Sequence, residues 1–192
     1  MTGINASSTA STHKTSWSRH WPALVGVGFA ALVAFDLTAG ADLAPVLAAS
    51  AVVYIGAAAL QNPRAAWPIF FVTVVIITVA RLVDGRLNAT WAFLGLGLGL
   101  LVYGLLTRAW QPPFGLPLQT VGLLVFGAAA AIALAISPDL GAYLVAAGLL
   151  GHTAWDTYHY RKKRVVVRSM AEFCMFLDAA LAIAIVVLTL TS

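Results

Sequence analysis

The chain of 192 residues is 61% hydrophobic and only 9% charged, far below the roughly 25% charge of a soluble domain. That composition excludes a water-soluble enzyme, and the net charge of +4 gathers near helix ends, a pattern that membrane topology explains without nucleic-acid binding. The single cysteine excludes an internal disulfide and fixes no redox compartment.

Residues 1–20 are Ser/Thr-rich without periodicity and read as a disordered cytoplasmic tail, leaving 21–192 as a single transmembrane domain. A cleaved leader over residues 1–41 is the weaker reading, because Asp36 interrupts its apolar run. Apolar runs at 22–39, 43–60, 67–83, 90–107, 118–136, 140–158 and 170–190 each approach or reach the roughly 20 residues that cross a hydrocarbon core. They predict an all-α bundle of seven transmembrane helices in the cell membrane. The breaks "QNPRAAWP" and "RAWQPPFGLP" carry prolines suited to helix ends.

In the first run Asp36, and in the third Arg81, lie about 20 Å from the cytoplasmic face. Asp84 follows Arg81 by three positions, so Asp36, Arg81 and Asp84 are expected to form an ion cluster near the outer surface. Helix four holds Gly95 and Gly99 at GxxxG spacing, which lets a neighbouring backbone approach, in the bundle or in an oligomer.

With seven alternating helices, Lys14, Arg19, Arg64, Arg108, Arg161, Lys162, Lys163, Arg164 and Arg168 share one side and Arg86 faces the other. The positive-inside rule then puts the N-terminus in the cytoplasm and the C-terminus outside. Trp17, Trp21, Trp67 and Trp110 fall near the cytoplasmic interface and Trp91 near the outer one, as amphipathic rings prefer. The cations of residues 161–168 suit anionic lipid headgroups.

The stretch "GHTAWDTYHYRKKR" ends the sixth run. At 100° per residue Asp156 lies about 40° from His152, and His159 about 20° the other way, so the three share one stripe. Asp178 on helix seven sits about 13 Å deep, level with His152 at about 12 Å. Glu172, four after Arg168, reads as its local ion pair.

Ionisable groups held in a bilayer need a partner, water or a task. His152, Asp156, His159 and Asp178 are therefore the expected catalytic residues, with Trp155, Tyr160, Arg161 and Arg164 binding substrate. The cofactor is left open; a divalent metal would draw on His152, Asp156, Cys174 and Asp178. No GxSxG, GxxxxGK[ST], CxxC or HExxH occurs, and no lysine lies mid-helix for a retinal Schiff base. The leading expectation is acid–base or metal-assisted chemistry on a lipid, isoprenoid or quinone-like molecule. Proton-coupled solute transport and a non-catalytic assembly role are the alternatives.

Overall fold

The computed structural model describes residues 20–35, 37, 39–83, 88–113 and 115–191. The tail 1–19, Asp36, Asp84 and Arg86 lie outside the described residues, and with them two of the three members of the expected outer ion cluster. The described chain is all-helical: α1 (Trp21–Phe35), α2 (Ala44–Ala59), α3 (Ala66–Leu82), α4 (Ala89–Leu106), α5 (Leu116–Ala133), α6 (Pro138–Lys162) and α7 (Arg168–Thr191). Each falls on one apolar run.

Local chemistry sets the ends. Pro45, Pro117 and Pro138 sit in the first turns of α2, α5 and α6, where a missing N–H costs nothing. The Asn88 side chain accepts from the Thr90 N–H and opens α4. Lys163, in the left-handed region at φ 53°, stops α6.

Five helices, counting the 3-10 turns that lead into α2 and α3, are long and apolar enough to cross a membrane, the make-up of a multi-pass membrane protein. α1 has 15 residues, a rise of about 22 Å against a hydrocarbon core of about 30 Å. α6 is long enough at 25 residues, but its polar stripe and basic last turn lower its hydropathy.

Burial is arranged opposite to a soluble protein. Phe35 is 92% exposed, Leu106 78% and Leu82 76%, whereas His152, Asp156 and Asp178 are each 0% exposed. Water would penalise both halves of that arrangement; lipid around the outside favours both. α2 is the axis of the bundle, with every residue from Leu47 to Ala59 buried and α3, α4, α5 and α6 packed around it. α7 packs between α1 and α6.

Alternate connections gather at two ends. At the basic end Trp21 stacks on Trp67, the Trp67 indole donates to Ser169 Oγ at 3.1 Å, and Gln61 Nε2 donates to the Thr107 carbonyl. The starts of α1, α3 and α7 and the turns after α2 and α4 are thereby neighbours. The other end brings Ala41, Arg81, Asn88 and Pro138 around one cavity.

Glycines set the closest approaches, though not the expected pair. A Cβ on Gly95 or Gly99 would meet nothing within 4 Å, so neither packs against another helix of this chain. The close contacts fall on Gly97, facing Leu123, and on Gly104, facing Leu116 and the Ala59 backbone. Gly95→Ala and Gly99→Ala are each expected to raise thermal stability in detergent by about 0.5–1 kcal/mol through helix propensity. A loss above about 1 kcal/mol would show that something covers this face.

Candidate functional site

His152 and Asp156 are one helical turn apart on the buried stripe of α6, and Asp178 meets them from α7. His152 Nδ1 donates to Asp178 Oδ2 at 2.7 Å and lies 3.2 Å from Asp156 Oδ2. One imidazole nitrogen therefore faces two carboxylates. Tyr54, from the buried axis α2, donates its hydroxyl to Asp156 Oδ1 at 2.5 Å. Its ring stands edge-on to His152, centroids 5.3 Å apart, and Phe126 of α5 contacts the same imidazole at 5.0 Å.

Three atoms of this group, His152 Nε2, Asp156 Oδ2 and Asp178 Oδ1, are buried without a hydrogen-bond partner. Among the described residues the ion pairs of both carboxylates are with His152 alone. An imidazolium with two carboxylates would leave one net negative charge in a low-dielectric interior, an arrangement that costs several kcal/mol. Neutrality requires one more cation, either a proton shared by the carboxylates or a bound metal ion.

Ligand atoms of His152, Asp156 and Asp178 lie within 4.8 Å of one another, so the donor set can hold a divalent cation, and Cys174 is not part of that cluster. The His152 Nδ1 and Asp178 Oδ2 pair itself stands at hydrogen-bond distance, leaving His152 Nε2 and Asp178 Oδ1 as the unpartnered ligand atoms of these two residues. A tetrahedral ion with bonds of about 2.1 Å separates its ligands by about 3.4 Å, wider than the 2.7 Å between Nδ1 and Asp178 Oδ2.

His159, one turn further along α6, makes separate contacts. Its Nδ1 lies 2.9 Å from the Trp155 carbonyl and its Nε2 3.0 Å from Gln119 Nε2, while the Trp155 indole donates to Gln119 Oε1 at 3.3 Å. A neutral imidazole protonated on Nδ1 satisfies the whole set. The Tyr54 ring bridges the two histidines, 4.9 Å from His159.

The other expected residues are spread out. Trp155 packs between Phe126 and Gly122. Tyr160 carries the Arg168 guanidinium over its ring at 4.2 Å, and Arg161 and Arg164 are exposed at the basic end. The local Arg168–Glu172 pair is corrected: Glu172 Oε1 accepts from His20 Nδ1 at 2.7 Å. Helical spacing alone could not weigh a partner arriving from before α1 against the ring of Tyr160.

Tyr54 and Gln119 escaped the sequence reading because each is uncharged and lies in an apolar run without an ionisable neighbour. Their signal was chemical: a phenol or an amide buried in a membrane helix needs a partner. Tyr54→Phe strands Asp156 Oδ1 and is expected to cost about 1–3 kcal/mol in detergent unfolding. A loss below about 0.5 kcal/mol would mean that this hydrogen bond adds nothing.

No cavity described in the bundle is lined by the His/Asp group itself, but one reaches its neighbours. A cavity of about 260 Å³ lies between α1 and α3, backed by α2 and α7, with Val53 and Cys174 in its wall. Exposed Leu32 and Thr78 form its rim, and Phe29 against Phe70, 5.8 Å apart, closes it toward the basic end. Ser50, Thr73 and Thr78 turn their hydroxyls to their own helix carbonyls, leaving an apolar surface. Cys174 is four residues, about 6 Å of rise, before Asp178 on α7. No protein-family model, curated protein or solved structure matches this chain.

Proposed function

We propose that this is a seven-span membrane protein, basic end in the cytoplasm, that carries out acid–base chemistry on a lipophilic molecule admitted from the bilayer. The observation that carries the reading is the apolar cleft between α1 and α3, which has Cys174 in its wall, about one helical turn from Asp178 of the His152/Asp156/Asp178 group. Two carboxylates on one imidazole form an exchangeable acid–base set: one proton more makes the group neutral, one fewer makes it a base. A cleft whose hydroxyls face their own backbone, with Arg81 at one end, suits an isoprenoid, quinone or acyl chain better than a hydrated solute.

The basic segment 161–168 fits the cytoplasmic leaflet, where anionic headgroups attract each cation by about 1 kcal/mol. Proton-coupled transport draws support from one feature, the His159–Gln119–Trp155 set lying between the basic end and the triad. Its hydrogen bonds are closed, however, and leave no obvious carrier for a moving proton. Exposed Gly95 and Gly99 offer a face for self-association.

Photolabelling tests the cleft. In protein reconstituted into nanodiscs, an alkyl chain bearing a diazirine is expected to label Ser50, Val53 and Cys174 as well as the lipid-facing Phe71 and Val75. Ser50→Phe should remove the first set and spare the second. Labelling confined to the outer residues in wild-type protein would rule out bilayer access to this site.

A further inference from the structure

The cleft does not end blindly at its far side. Arg81, in the last turn of α3, lines both the 260 Å³ cleft and a second cavity of about 700 Å³ at the end opposite the basic segment. Arg81 is exposed, and among the described residues no carboxylate forms an ion pair with it. Thr90, in the first turn of α4, lines the same second cavity at 0% exposure, and its hydroxyl has no hydrogen-bond partner. Asn88, beside it, is occupied in capping the Thr90 N–H, so the free polar groups are one guanidinium and one hydroxyl. Asp42 also lines this cavity and has an interaction of its own.

We infer that the molecule taken up is a single-chain amphiphile with an anionic head, its head held by Arg81 and Thr90 and its chain laid along the α1/α3 cleft toward Cys174. This rests on the cleft reading above and adds the headgroup. A guanidinium with a hydroxyl donor is the chemistry that recognises a phosphate or carboxylate. From Arg81 back to Phe70 the cleft follows eleven residues of α3, about 16 Å, long enough for a medium alkyl or prenyl chain. Its 260 Å³ falls below the roughly 300–1,000 Å³ of drug-sized sites and admits one chain, not two. In this pose the chain, and not the head, comes beside the His/Asp group, so the chemistry would fall on the apolar part of the molecule.

Competition against the diazirine probe on the full-length protein in nanodiscs tests the inference, with dodecyl phosphate, dodecanol, dodecyltrimethylammonium and inorganic phosphate as competitors. Dodecyl phosphate is expected to displace the probe from Ser50 and Cys174 at a concentration roughly tenfold or more below that of dodecanol, the effect of one charge-assisted contact. Dodecyltrimethylammonium should be weakest and inorganic phosphate without effect. Arg81→Gln should bring dodecyl phosphate to the level of dodecanol, and Arg81→Lys should restore part of the gap.

Equal potency of phosphate and alcohol overturns the inference, as does displacement by inorganic phosphate. So does an Arg81→Gln protein that keeps the preference, which is the result expected if Arg81 instead serves a carboxylate of the fold. If Ser50→Phe fails to reduce labelling of Val53 and Cys174, the cleft reading falls first. If it succeeds while Arg81→Gln changes nothing, only the headgroup assignment fails.

Discussion

His152→Ala is expected to cost about 3–5 kcal/mol of stability, the usual effect of removing one partner from a buried ionic group. The imidazole is the only ion-pair partner of Asp156 and Asp178 among the described residues, and alanine leaves two carboxyl groups facing a void with Tyr54 as the remaining donor. Thermal unfolding in detergent reads the effect, and a loss under about 1 kcal/mol would show that the group is not ionically coupled. The triple replacement His152→Leu, Asp156→Leu, Asp178→Leu should be much better tolerated, because removing every member leaves no stranded charge. A stable, inactive triple variant would separate a working site from a structural one; if it unfolds more readily than His152→Ala, the network is a structural lock.

Gly26→Ala should be a damaging single-methyl addition to α1. The new Cβ would lie 2.5 Å from the Phe173 carbonyl oxygen and 3.3 Å from the Leu177 backbone nitrogen, both fixed parts of α7. Backbone cannot swing aside as a side-chain tip can, so α1 must move off α7, at a cost of about 1–3 kcal/mol for overpacking. That shift also disturbs the Phe29 contact with Phe70 and with it the closed end of the cleft. Gly28→Ala, two residues on, meets nothing within 4 Å and should be neutral or slightly stabilising. Thermal stability of the two variants side by side gives the answer, and equal values would mean that α1 is not seated on α7 through Gly26.

Hydropathy alone located all seven helices, because a run of apolar side chains long enough to span lipid is a local property and needs no knowledge of neighbours. It was least accurate at the helix ends, as at α6, where an apolar run read as 140–158 belongs to a helix from Pro138 to Lys162. The period of the helix likewise placed His152 and Asp156 on one stripe, and the rise per residue set Asp178 level with them; the 2.7 Å contact follows from those two facts once α6 and α7 pack together.

Packing between helices decided what spacing could not. Tyr54 and Gln119 enter the site because α2 and α5 bury them against α6, and the expected Arg168–Glu172 pair gives way to His20 arriving from before α1. Gly26, Gly97 and Gly104 are among the glycines that permit close approach, and the pair the motif singled out is not. The cleft exists because α1 leans on α7 and leaves its flank toward α3 open, a relation absent from either helix's own sequence. The sequence by itself determined which segments form the apolar helices and which of their faces are polar, since hydropathy and helical period are read residue by residue along one helix. Only the tertiary structure decided which polar faces meet and where a gap remains, because those depend on backbone distances fixed jointly by side chains far apart in the chain.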